Sequence, residues 1–338
     1  MRSLCKLSLQ KGLTLCQKEI PDFKHHEVLI RIHKTGICGT DLQLYHSNDW
    51  ACSVMNIPLT IGHEFVGRVY KVGSKVKSVK KGDWVSAEGH LFCGICDACL
   101  NNQAHFCINS KGIGVHTHGA MTDYFVMPES NLWLCNGLDS DIMAFADVLG
   151  NAVYALSKVL VKNKLVCITG AGPLGLSVLM LCKFLGAGFV SICDTNDYRL
   201  HLASKLGADE TLLMDSNTLK KGFDFKKKWD VGFELSGKAN ALRSLISHLN
   251  PGSSLVLMGL LPKRSMINWQ TLIFKNIDIF CLYGRLIFDT WKQLNDYLLQ
   301  GFNPKPIITH HFDANDFEKA FQLMQSRQCG KILLHWNH

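Results

Sequence analysis

Three groups of residues in this sequence have types and spacings that can do chemistry. The first is Cys93, Cys96, Cys99 and Cys107, spaced C-x2-C-x2-C-x7-C. Four thiolates this close together can form a tetrahedral shell around Zn2+ with Zn–S near about 2.3 Å. No coordination position is left open, so such a site holds structure and does no catalysis. Iron–sulfur runs also begin C-x2-C-x2-C, but their fourth cysteine comes after three residues and is followed by proline. Here the gap is seven residues and Ile108 follows, which favours a structural zinc lobe. The second group is Gly170-Ala171-Gly172-Pro173-Leu174-Gly175, a G-x-G-x-x-G that follows the apolar run Leu165 to Thr169 and opens a helical pattern. Asp194 ends the next strand-like run, 22 residues after Gly172. That context is a dinucleotide fingerprint: the glycines permit a tight turn and close approach of a pyrophosphate, whose charge meets a helix N-terminus. The Asp194 carboxylate would bond ribose hydroxyls and repel a 2′-phosphate, favouring NAD over NADP. Arg199 would lie beside the adenosine. The third group is Cys38 with Gly62-His63-Glu64. A thiolate, an imidazole and a carboxylate suit an open catalytic zinc site with one position for water or substrate. Taken singly, Cys38 also reads as core, His63 as a satisfied buried histidine and Glu64 as an ion-pair partner.

These residues must be positioned by two kinds of element. The stretches Val28 to His33, Phe65 to Val72 and Asp83 to Ala87 are strand-like and separated by glycine-containing turns, predicting an antiparallel barrel or sandwich over roughly the first 145 residues. From Asp139 to Val161 the apolar spacing becomes helical. Strand and helix patterns then alternate: KLVCITG, PLGLSVLMLCKFLG, FVSICD, RLHLASKLG, DVGFELSG, ALRSLISHLN, SLVLMG and DIFCLYG. Such alternation predicts a doubly wound parallel sheet covered on both faces. The end of the chain reads as helix (Phe288 to Leu299), strand (Pro306 to His311), helix (Ala314 to Ser326) and strand (Lys331 to Trp336). Two domains, or one large one, fit the 338 residues, with the texture changing near Asp139.

Composition narrows the function classes. Apolar residues make up 47% and charged residues 19%, enough for a real core and against disorder. The net charge of +8 comes without aromatic interleaving in the basic run Lys226-Lys227-Lys228 or at Lys220 and Lys221, so no nucleic-acid partner is expected. Leu165 to Cys182 is uncharged and long enough to span a membrane, but four glycine or proline positions interrupt it; strand, turn and buried helix are expected instead. The first 15 residues contain Arg2, Lys6 and Lys11 and do not read as a signal peptide, so a cytoplasmic location is expected. Reduced thiols follow from that location. Of the 14 cysteines, five are candidate metal ligands; the rest, such as Cys167, Cys182, Cys193 and Cys281, read as small core residues.

The segment from Gly62 to Val76, GHEFVGRVYKVGSKV, has the form G-H-E-x2-G-x5-G-x2-V. With ICGTD (Ile37 to Asp41), the four-cysteine run and GAGPLG in the same order, it resembles the zinc-dependent medium-chain alcohol dehydrogenases over essentially the whole chain. The segments KTGICGTD, SAEGHLFCGIC, GNAVYAL, CDTNDYRL, LYGR, TWKQL and IITHHF are most similar to the branch that oxidises the hydroxyl carbon of L-threonine to 2-amino-3-oxobutanoate. The resemblance implies an α/β fold, a doubly wound Rossmann sheet plus a mostly β, GroES-like catalytic domain with a structural zinc lobe: 1–147 catalytic and zinc-binding, 148–288 NAD-binding, and 289–338 returning to pack on the catalytic domain. It implies a small-molecule substrate, NAD, a homotetramer and two zinc ions per subunit. Cys38, His63 and Glu64 would hold the catalytic zinc and the four clustered cysteines the structural one. It further implies Thr40 and Asp147 in proton relay and His90 in shaping substrate choice. Leu174, Asp194, Arg199, Met258, Gly259, Leu260, Leu282 and Tyr283 would contact NAD. Other expectations stay open: a polyol or secondary-alcohol dehydrogenase of the same family, or a zinc scaffold with weakened catalysis. The sequence departs from the family at Gln43, where a histidine follows the relay threonine by three residues, and at Val148-Leu149, where relatives carry Pro-Phe. Glutamine hydrogen-bonds but takes up no proton near neutral pH.

Overall fold

The computed structural model describes residues 1–215 and 227–337. Lys220, Lys221 and Lys226 lie outside the described residues; Lys227 and Lys228 are exposed. The spine of the first module is the strand Glu27–Gly36, whose Val28, Ile30 and Ile32 point into one core at a period of two. One edge of this strand pairs antiparallel with Phe65–Val72. The other edge is shared: residues Glu27 to Arg31 pair with Tyr124–Pro128, and Lys34 to Gly36 pair with Lys331–His335. Trp84–Ala87 and Leu132–Leu134 extend the sheet on one side and Ile308–Asp313 on the other. A smaller sheet sets Arg2–Lys6 between Thr14–Gln17 and Leu59–Thr60, the strand that leads into His63.

The second module is a six-stranded parallel sheet. Its order is Glu210–Leu213, Phe189–Asp194, Leu165–Thr169, Trp229–Glu234, Leu249–Leu257, Asp278–Cys281. The chain starts in the middle, winds to one edge and returns beside Leu165–Thr169 to wind to the other. This creates the switch point at which ligands of such sheets bind. Unbroken apolar runs occur here because both faces are covered. Val166 and Ile168 join a core shared with the helices Ala146–Leu156 and Pro173–Phe184, while Cys167, between them, faces the core under Ala239–His248. Cys167, Cys182 and Cys193 are buried as expected. Cys281 is exposed, because Asp278–Cys281 is an edge strand, and so is Cys52.

The helical stretch expected from Asp139 to Val161 divides into Ser140–Met143 and Ala146–Leu156, and the restart places Asp147 in a first turn. Short elements absent from the periodicity also appear, including the helices Gly39–His46, Asp49–Val54 and Trp269–Phe274 and the strand Glu210–Leu213. The run from Leu165 to Cys182 is strand, glycine turn and helix, and among the described residues no helix is long and apolar enough to cross a membrane.

The segment 289–338 serves both modules. The helix Asp289–Leu299 buries Trp291 and Leu294 in the core of the parallel sheet, with Trp291 packed 5.3 Å from Trp133, ring centre to ring centre. From Ile308 onward the strands belong to the first sheet. Trp291 therefore ties the return segment to the core, and Trp291→Ala is expected to lower stability by about 3–5 kcal/mol in equilibrium urea unfolding.

Candidate active site

Cys38 lies 25 positions before the adjacent His63 and Glu64, yet the three converge in space: their ligand atoms lie within 4.8 Å of one another. Cys38 is the N-cap of Gly39–His46, and its backbone N–H donates to Asp41 Oδ2 at 2.8 Å. The other Asp41 oxygen, fully buried, faces His63 Nδ1 at 3.7 Å. A carboxylate behind one ring nitrogen fixes the imidazole and leaves the other nitrogen for a ligand. Burial disfavours a charged His63, yet the Cys38 thiolate and Asp41 outweigh it and raise the imidazole's proton affinity well above its ordinary value. These donors attract a cation, and a soft thiolate with imidazole and carboxylate fits Zn2+. Glu64 is buried and ion-paired with the equally buried Lys331, whose Nζ also donates to the Ile37 carbonyl at 2.9 Å. Gly36 makes this possible, since a β-carbon there would collide with the Glu64 carboxylate and stand 2.8 Å from Lys331 Cε.

Thr40 sets its hydroxyl 3.8 Å from the Cys38 sulfur. Gln43 lies half-buried one turn further along the same helix, whereas His46 is exposed on the last turn against Tyr45. Asp147 is brought to the same centre but is engaged: its Oδ1 accepts from Arg285 Nη1 at 2.6 Å. Burial alone would push this carboxyl up, but the guanidinium overrides it and holds it below the usual carboxylate range. A carboxylate held this way is a fixed negative charge beside His63. Arg285 also donates to Glu88 Oε1 at 2.9 Å, and the same Glu88 oxygen faces His90 Nδ1 at 3.0 Å. Glu88 and Arg285 were not among the sequence candidates. A charged pair separated by 197 positions leaves no local signal.

The structural lobe forms around Asp97–Leu100. Cys96 and Cys99 sulfurs are 3.5 Å apart, Cys93 and Cys107 sulfurs 3.6 Å, and all four lie within 4.8 Å of one another. These spacings are far longer than a disulfide at about 2.05 Å. They are close to the edge, about 3.8 Å, of a tetrahedron with Zn–S of about 2.3 Å. The Ile95 N–H draws the Cys93 thiol down to about 6, while desolvation and the neighbouring thiol push Cys99 up to about 12.

The glycine turn sits at the carboxyl end of the parallel sheet. Gly170 has φ +101°, and a β-carbon on Gly175 would run into the Gly170 carbonyl. Both glycines are thus required by geometry. Leu174 lies half-buried in the helix's first turn. Asp194 ends its strand and accepts from the Ala171 N–H at 2.7 Å and the Asn196 N–H at 2.9 Å. A cleft of about 330 Å3 is lined by Gly170, Gly172, Asp194, Arg199, Ser236 and Lys238, among others. Met258, Gly259 and Leu260 follow the strand Leu249–Leu257, and Leu282 and Tyr283 follow Asp278–Cys281, at the carboxyl ends of strands of the same sheet but outside the lining of the cleft. The buried Glu234 was also missed. It accepts from Ser236 N–H at 2.9 Å and Gly237 N–H at 3.3 Å, and its carbonyl accepts from Gly259 N–H, so it shapes the loops around the cleft. An acid inside the apolar run DVGFEL was its available signal.

The end of the parallel sheet reaches the metal set. Tyr283 stands edge-on to His90 at 6.1 Å, and two residues later Arg285 holds Asp147. The segment 282–285 therefore ties the sheet that carries the cleft to the surroundings of the Cys–His–Glu set. Residues 24–136 match the Alcohol dehydrogenase GroES-like domain and residues 173–300 the Zinc-binding dehydrogenase family. The chain belongs to the zinc-dependent alcohol dehydrogenases. It is accordingly an oxidoreductase acting on a CH–OH group, with the GroES-like and Rossmann-like domains of that family. L-threonine 3-dehydrogenase of a Marinomonas species is 40% identical over 342 residues, covering 100% of both chains. The enzyme of that name from Xanthomonas euvesicatoria is 39% identical over 340 residues, again covering 100% of both. Among solved structures, an Escherichia coli alcohol dehydrogenase in complex with NADH is similar at TM-score 0.87 and 26% identity, covering 99% of each chain. An alcohol dehydrogenase from a Thermus species is similar at TM-score 0.88 and 25% identity, also over 99% of each.

Two outcomes follow from this geometry. Cys99→Ser is expected to remove about one of two zinc equivalents per chain, the second being retained by the Cys38 site, as measured by elemental analysis of the purified protein. Arg285→Met strips Asp147 and Glu88 of their guanidinium, leaving Glu88 only its contacts with His90, and should lower stability by about 3–5 kcal/mol in urea unfolding.

Proposed function

We propose that this protein oxidises the hydroxyl carbon of L-threonine to 2-amino-3-oxobutanoate with NAD+, as an L-threonine 3-dehydrogenase. The observation that carries the reading is the contact of residues 282–285, at the end of the parallel sheet, with the side chains around the metal set, in a chain 40% identical along its full length to a protein of that name. When bound, zinc supplies Lewis acidity toward the substrate hydroxyl and the nicotinamide accepts the hydride. Cys38, His63 and Glu64 hold the metal, with Asp41 orienting His63. The Thr40 hydroxyl, beside the Cys38 sulfur, accepts the substrate's proton and passes it outward. Asp147, kept ionised by Arg285, sets the charge facing His63, and His90 borders the substrate. Gly170, Gly172, Leu174 and Gly175 receive the dinucleotide's pyrophosphate, Asp194 and Arg199 its adenosine half, and Met258, Gly259, Leu260, Leu282 and Tyr283 the nicotinamide half.

A homotetramer fits the open sheet edge. Among the described residues no further strand lies beside Asp278–Cys281, and Trp269, Ile273 and Phe274 are exposed on the helix just before it. Such an edge with apolar neighbours is a surface for a second copy. A cytoplasmic location accords with the abundance of thiols.

Initial rates with L-threonine, 2,3-butanediol and sorbitol, with NAD+ and with NADP+, test the reading on zinc-loaded protein. L-Threonine with NAD+ is expected to give the highest kcat/KM. No NADH from L-threonine anywhere between about pH 6 and 10 would reject the substrate assignment. Gln43→His should add a titrating limb near about pH 6.5 to the pH–rate profile, and an unchanged profile would remove position 43 from the proton route.

A further inference from the structure

The cofactor cleft contains a charged residue that does not come from the parallel sheet. Arg327 lines it together with Gly170, Gly172, Asp194 and Arg199. Yet Arg327 caps the helix Phe317–Ser326, which buries Phe317, Ala320 and Phe321 in the core of the first module. The return segment therefore brings a guanidinium across the boundary between the modules.

Three observations give that guanidinium a ligand. Arg327 has φ 60° and ψ 16°, the left-handed C-cap conformation that favours glycine, so a long side chain occupies a place where the backbone asks for none. Among the described residues, the guanidinium pairs with no carboxylate. Arg199 lines the same cleft and reaches over the glycine turn. Its Nη1 stands 3.8 Å from where a β-carbon of Gly172 would be, its side chain hydrogen-bonds Cys329, two residues from Arg327, and its buried Nε has no hydrogen-bond partner among the described residues. Arg199, Lys238 and Arg327 line the cleft against Asp194, its one lining carboxylate among the described residues, an excess of positive charge that an anion would balance, and a planar guanidinium is the side chain best suited to grip a phosphate.

We propose that Arg327 is a phosphate ligand for the dinucleotide, supplied by the first module, and that it acts with Arg199 to grip the bound cofactor. The inference rests on the dinucleotide reading above and adds a residue to it. The phosphate is either the diphosphate bridge or a 2′-phosphate on the adenosine ribose, and the test separates the two.

NADH and NADPH are titrated by fluorescence into the parent, Arg327→Gly and Arg327→Lys at low and high salt, with thermal unfolding of the unliganded proteins alongside. Arg327→Gly is expected to bind about tenfold more weakly, with Arg327→Lys in between. The parent's loss of affinity with salt should shrink in the glycine variant. Its unliganded unfolding midpoint should hold or rise, because glycine suits the left-handed position. An equal loss for both dinucleotides assigns Arg327 to the diphosphate; a loss for NADPH alone assigns it to the 2′-phosphate. Unchanged affinities for both, or an affinity loss without any change in salt dependence, overturn the proposal. Binding of neither dinucleotide by the parent overturns the dinucleotide reading itself, and this proposal with it.

Discussion

The arrangement depends on one buried cation. Arg285 leaves the end of the parallel sheet and pairs with Asp147 and with Glu88, side chains that line the metal centre and support His90. All three are nearly excluded from water. A lone ion in such a place is costly, and removing one partner of a buried pair is far worse than replacing the whole set with apolar groups. The trio therefore specifies how the modules meet more than it stabilises them. Any displacement between the modules strips the carboxylates of their counter-ion, so the cofactor edge and the metal site keep their relative placement. Gly150 belongs to the same constraint: a β-carbon on it would stand 2.6 Å from the Arg285 side chain.

What the sequence revealed follows the range of the interactions. The four-cysteine lobe and the glycine turn are local devices, with every essential residue within a few positions of the next, and spacing alone disclosed them. The parallel sheet was equally legible, because burial on both faces writes apolar runs such as Val166 to Ile168 directly into the chain. The first module was less so. Glu27–Gly36 changes partners midway along one edge, and no periodicity announces such a change. The Cys38, His63 and Glu64 set became readable only through its surrounding motif, and its supports were hidden. Lys331 lies 267 positions after Glu64, and Arg285 lies 197 after Glu88; each looks in sequence like an ordinary surface cation.

Charge accounts for why these particular residues surround the metal set. Around it stand the Cys38 thiol and the carboxyls of Asp41, Glu64, Asp147 and Glu88, against the two buried cations Lys331 and Arg285. The cations are already committed: Lys331 to Glu64 and to a backbone carbonyl, Arg285 to the other two carboxylates. Cys38 and Asp41 remain without a fixed positive partner. Burial lifts Asp41 toward its neutral form, and His63 is driven to accept a proton. Both responses bring positive charge to a centre that has too little of it. A dication bound by Cys38, His63 and Glu64 answers the same demand without a proton, leaving His63 neutral and its Nδ1 free to face Asp41. The side chains that make the site costly to bury are thus those that make it selective for a doubly charged metal, and Lys331, by sharing Glu64, governs how firmly that third ligand is held.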